Sequence, residues 1–155
     1  MAIHTFGAYN PPHCDLYQEI VDGNKTVEGR KYSKRYQNIK AGDTIIFNFT
    51  GHEFLLICNV TYVRRYPDVI SFLKQETLKK TVPCVKTMDE GIQLYENYVP
   101  RSEINQIRKE FGYGFVAFGI EFKNRRKKVK KDPYQKYLKY KSKYLKLKSN
   151  SHGHK

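Results

Sequence analysis

An α+β fold is predicted by three observations: alternating apolar–polar strands near residues 43–64 and 113–122, stretches of helical period before and between them, and no regular strand–helix–strand alternation. A small, mostly antiparallel β-barrel with helices packed on it fits this order. Residues 14–22 (CDLYQEIVD) set Cys14, Tyr17, Ile20 and Val21 on one helical face, opened by Pro11-Pro12 and stopped by Gly23. KTVEGR at 25–30 reads as a short extended segment, followed by the basic loop KYSKRYQNIKAG. After Gly42, Ile45, Phe47 and Phe49 alternate in a strand over 43–49, and Gly51-His52 turns it into a longer strand over 53–64.

From Pro67 the period becomes helical, with Val69, Phe72 and Leu73 on one face and the proline at a first turn. Thr87-Met88-Asp89-Glu90 has capping-box spacing ahead of Ile92, Tyr95 and Val99. Ile104, Ile107 and Phe111 predict another helix after Ser102, ended by Gly112. A last strand over 113–122 carries Val116, Phe118, Ile120 and Phe122 in alternation.

Charge divides the chain. Residues 1–122 hold 15 basic against 14 acidic side chains, net +1, and residues 123–155 hold 14 against one, net +13. The expected organisation is therefore a near-neutral domain at 1–122 and a basic tail at 123–155. The tail reads as a linker at 123–133 and an amphipathic repeat at 134–148, YLKYKSK then YLKLKSN, either helical or disordered on its own. A cationic arm on a neutral body calls for a polyanion: nucleic acid or an anionic membrane, with a protein partner as the third option.

Cys14, Cys58 and Cys84 are odd in number and lack C-x-x-C spacing, so buried thiols are expected rather than a disulfide or a zinc site. MAIHTFGAYNPPH has neither the basic opening nor the apolar run of a signal peptide, and the longest apolar run, 54–58, is too short for a membrane span. A cytoplasmic rather than secreted protein is expected. His4, His13 and His52 are scattered and His152 and His154 sit in the terminal SHGHK, so no metal site and no cofactor is expected.

The most informative segment is 23–30, GNKTVEGR. Extended alternation puts Thr26, Glu28 and Arg30 on one side, with Lys25, Val27 and Gly29 on the other. Arg30 offers a planar fork for phosphate or a base edge, Glu28 holds it or accepts from an exocyclic amine, and Lys25 adds a point charge. The competing reading is a solvated Glu28–Arg30 surface pair.

Several motifs in order resemble the ASCH domain family: the helix, then G-x-K-T-x-E-x-R, the basic loop with Lys34-Arg35, Gly42-Asp43-x-Ile45-x-Phe47, Arg65-Tyr66-Pro67, VKTMDEGIQLY, and the final strand from Tyr113-Gly114. The resemblance spans about residues 3–122. It implies a PUA-like β-barrel whose cleft binds RNA or a nucleotide, lined by Lys25, Thr26, Glu28 and Arg30, with Arg35, Arg65, Tyr66 and Tyr113 in support. Some bacterial members hydrolyse acetylcytidine with a Lys, a Thr and a Glu. Here Lys25 matches, Glu28 stands at the Thr position, and a gapless count puts Glu96 in the third role. A carboxylate lacks the hydroxyl proton, so binding is ranked above an amidohydrolase. The Y-L-K-Y-K-x-K-Y-L-x-L-K ending resembles that of proteins from giant, mimivirus-like DNA viruses, which would place the protein in host cytoplasm or virion.

Overall fold

A computed structural model describes residues 1–129 and 133–152; residues 130–132 of the expected linker and 153–155, His154 among them, lie outside the described residues. The elements run β1 (Ile3–Ala8), α1 (Leu16–Val21), β2 (Val27–Lys31), β3 (Thr44–Phe49), β4 (Phe54–Tyr66), α2 (Val69–Glu76), α3 (Leu78–Thr81), α4 (Met88–Glu96), α5 (Arg101–Phe111), β5 (Phe115–Lys127) and α6 (Pro133–His152). A turn of 3₁₀ helix occupies Lys34–Tyr36.

Local chemistry sets most boundaries. Asp15 caps α1 by accepting from the Gln18 N–H, so the helix starts later than the prolines suggest. Asp68, not Pro67, caps α2 through the Ser71 N–H, and Thr87 caps α4 through the Glu90 N–H. Gly112 ends α5 with φ +89°, a conformation that favours glycine.

The five strands form one sheet in the order β1-β3-β4-β5-β2, with β1 parallel to β3 and the other pairs antiparallel. The expected barrel is therefore corrected: the sheet stays open, and β1 and β2 are its edges. Strand β1 is an addition. Its register comes from β3, a tertiary partner that the short HTFGA segment does not announce. Strand β5 also runs past the expected end at Phe122 to Lys127, because Phe54–Ile57 of β4 pair with Asn124–Lys127 whatever the charge of those side chains. Among the described residues, no helix is long and apolar enough to cross a membrane.

Strand β5 separates two cores. Val116, Phe118 and Ile120 join Phe6, Phe47 and Leu56 on one face. Phe115 and Ala117 join Val27, Phe72 and Leu73 on the other. Asp43 clamps the start of β1 to the start of β3, accepting from the Ala2 and Lys40 N–H groups and pairing with His4 at 3.0 Å. These hydrogen bonds, that of His4 foremost, hold its carboxyl down at about 2.

The cysteine expectation is also corrected. Cys14 and Cys84 form a disulfide with Cα atoms 5.6 Å apart, across 70 residues of sequence, while Cys58 is a buried free thiol. Two cysteines so far apart give no sequence signal of pairing. The fold brings the loop before α1 against the loop between α3 and α4.

Two stability measurements check this packing. A Cβ on Gly29 would lie 2.5 Å from the Phe72 ring and 2.7 Å from Phe115, whereas at Gly7 nothing lies within 4 Å. Gly29→Ala is expected to destabilise by about 1–3 kcal/mol in denaturant unfolding, with Gly7→Ala near neutral. Reducing the disulfide is expected to cost about 2–4 kcal/mol by freeing the unfolded chain. A thermal midpoint indifferent to reductant would contradict that.

Candidate functional site

Because the sheet is open, the ends of β1 and β2 face each other across a gap. The Ala2 and Ala8 carbonyls accept from Thr44 and Thr50 on the β3 side, so the odd-numbered carbonyls of β1 point the other way. Arg30 of β2 crosses the gap and donates from Nη2 to the Gly7 carbonyl at 2.9 Å. Arg35 donates to the Thr5 carbonyl at 3.0 Å. The Arg30 and Arg35 guanidinium groups lie 4.8 and 5.7 Å from the Phe6 ring centre.

Beside this bridge lies a cleft of about 180 Å³. Gly7 to Tyr9 and Glu28 to Lys31 form its two sides, Phe49, Val82 and Phe115 its apolar depth, and Leu94, Tyr95, Tyr98 and Val99 its cover. Tyr9 and Tyr98 stand at its mouth, 51% and 44% exposed, with ring centres 5.1 Å apart edge to face. The disulfide ties together the loops that carry Pro11 and Val82, two of the lining residues.

A ladder of three charges lines one wall. Lys25 precedes β2, so it escapes the strand's alternation and its side chain turns under Glu28. It is 2% exposed. Its Nζ donates to the Val27 and Thr81 carbonyls at 2.8 and 2.7 Å and sits 3.3 Å from Glu28 Oε1. Three acceptors match the three N–H groups of an ammonium. Glu28 Oε2 accepts from Arg30 Nε and Nη2 at 3.2 and 2.9 Å. Burial pushes the Glu28 carboxyl up, but Lys25 and Arg30 outweigh it and hold the group below its usual value. Burial pulls the Lys25 ammonium below its ordinary value, against the attraction of Glu28.

Tyr95 is a further polar group in the cleft, and its hydroxyl has no hydrogen-bond partner among the described residues. Burial, helped by the Glu28 charge, pushes its pKa far up. It is therefore a neutral donor.

Of the residues expected at the site, Lys25, Glu28 and Arg30 meet here and six do not. Thr26 faces a separate hollow with Thr61 and Tyr62. Arg35 is spent on β1. Arg65 lies over the Tyr113 ring at 4.8 Å, and Tyr113 packs edge-on to Tyr32, both away from the cleft. Tyr66 is buried with its hydroxyl donating to Glu76, as Tyr62 does, and this raises its pKa to about 12 after burial. Glu96 pairs with Arg101 at 2.6 Å over another hollow. Its neighbour Tyr95 turns into the cleft instead. Tyr9, Tyr95 and Tyr98 are missing from the site residues expected from the sequence, which placed Tyr95 only on the apolar stripe of a helix. The available signal was an aromatic among polar neighbours in GAYNPP and YENYVP. Among the described residues no three His, Cys, Asp or Glu side chains gather as a metal site.

The chain has relatives among known proteins. The ASCH domain model matches residues 13–144. The crystal structure of the hypothetical protein PH0355 is similar at a TM-score of 0.61, with 30% identity over 79% of this chain and 100% of that one. The solution structure of protein PF0455 from Pyrococcus furiosus gives 0.54, with 31% identity over 79% and 97%. No curated protein matches the chain.

Glu28→Gln leaves a buried ammonium without its counter-charge and is expected to destabilise by roughly 2–3 kcal/mol. Because the folded carboxyl titrates below its usual value, its contribution is present above the ordinary carboxyl range and is lost as pH falls through the lower folded value. The fall in thermal midpoint from about pH 5 downward should accordingly be shallower in Glu28→Gln than in the parent.

Proposed function

The chain belongs to the ASCH domain family, and we propose that its cleft takes up one base of a single-stranded RNA, or of a free nucleotide. The family's general association with RNA binding supports this reading. The observation that carries it is the combination in one small cleft of an apolar interior, a charged wall at Glu28 and two exposed tyrosines at the mouth.

Bases splayed out of single strands are stacked on aromatic rings and read by hydrogen bonds to their edges. Tyr9 and Tyr98 supply the ring surface. Glu28 keeps lone-pair capacity on Oε1 and accepts from a ring or amino N–H. The Tyr95 hydroxyl donates to an adjacent ring nitrogen or carbonyl. The N–H groups of Lys25 are committed to protein acceptors, and Nε and Nη2 of Arg30 to Glu28 and Gly7. The cleft therefore suits an uncharged base rather than a phosphate, and the phosphate stays at the rim near Lys31.

The amidohydrolase alternative needs a hydroxyl where Glu28 stands and a carboxylate facing it. Glu28 is held between two cations, and Glu96 is engaged with Arg101. The unmodified protein is expected to leave acetylcytidine intact, as followed by chromatography of the nucleoside. Hydrolysis abolished by Lys25→Ala would make it an enzyme.

Binding is checked by titrating a fluorescent single-stranded RNA. Tyr98→Ala is expected to weaken binding by about 1–3 kcal/mol, the worth of one stacked base. It should leave the unfolding free energy within about 0.5 kcal/mol of the parent, as for an exposed substitution. Unchanged affinity in both Tyr98→Ala and Tyr9→Ala would remove the cleft from the interface.

A further inference from the structure

Helix α6 offers a second surface, independent of the cleft. Its repeat places Tyr137 and Leu138, then Tyr144 and Leu145, seven residues apart on one side, and all four are exposed. Lys141 falls in the middle of that same side. Lys139, Lys143 and Lys146 fall on the other, and no acidic residue occurs between 133 and 155. A helix with this surface repels a second copy of itself, so its complement is an anion.

We infer that α6 is a binding arm for single-stranded nucleic acid, in which lysines take phosphates and Tyr137 and Tyr144 stack on bases. Two features favour a strand over a lipid surface. Insertion among acyl chains needs a continuous apolar face, and here Lys141 interrupts it. The large side chains on that face include two tyrosines, whose rings carry hydroxyls and stack on bases irrespective of sequence. On that face Lys141 lies between the two rings, as a phosphate lies between two bases of a strand.

The full-length chain is titrated with single-stranded oligouridine from about 50 to 200 mM salt, where the log–log slope reports the phosphates neutralised. Lys141→Gln is expected to flatten that slope by about 0.7, the worth of one lost contact. Tyr137→Ala/Tyr144→Ala is expected to weaken binding about 30-fold or more at unchanged slope, for two stacked bases. Phosphatidylserine-containing vesicles are the competing probe. If both α6 variants bind oligouridine like the parent, the arm is refuted, and loss of vesicle binding in those variants would assign α6 to membranes. Tyr98→Ala in the same titration separates this inference from the cleft reading: loss there with both α6 variants intact sustains the cleft and refutes the arm, and the reverse sustains the arm and refutes the cleft.

Discussion

The edges of an open sheet carry backbone groups with no ladder partner, and on β1 those groups face the other edge of the same sheet. Guanidinium groups bridge the space. Arg30 reaches the Gly7 carbonyl and Arg35 the Thr5 carbonyl, with the Phe6 ring beside both. A strand in that position would have sealed the sheet into a closed barrel with a filled interior. Side-chain bridges leave room beside them, and the cleft occupies that room. The same contacts fix Arg30, which in turn fixes Glu28, whose other oxygen faces the buried Lys25. The bridge between the open edges and the charged wall are thus one hydrogen-bonded chain, held by charge-assisted bonds in a partly dry setting.

That connection gives the charges a different part from the one their types suggest. A lysine and an arginine in a short basic motif read as phosphate ligands. Here most of their donors are used inside the protein, and what faces the cleft is a carboxylate oxygen, a tyrosine hydroxyl and apolar surface. A cleft so lined offers an entering phosphate few free donors in return for the water it would lose.

Much of this was legible in the sequence. The alternation of Val116, Phe118 and Ile120 announced β5, and GDTIIFNF announced β3. Asp89 and Glu90 behind Thr87 marked the start of α4, and GNKTVEGR supplied three side chains that meet at the cleft. What stayed hidden depended on contacts between distant segments. Strand β1 exists because β3 lies beside it. Lys25 is buried because the chain bends just before β2 and Thr81 supplies an acceptor. Cys14 meets Cys84 only once α1 and α4 are in place. Tyr95 rather than Glu96 reaches the cleft because packing on Phe72 and Phe115 fixes which way α4 is turned; counting residues carries no information about that rotation.

The strand that lies between the two cores is also among the last parts of the sheet in chain order. Both neighbours of β5 are made before it, β2 by more than eighty residues, and until β5 arrives β2 has no strand to pair with. During synthesis the N-terminal two-thirds of the chain therefore holds a half-sheet of β1, β3 and β4, with apolar rows open on both sides. Such a topology folds late, through long-range closure. A ribosome stalled before Phe115 would display the aromatic interior of this protein, a surface that chaperones and neighbouring nascent chains compete to cover.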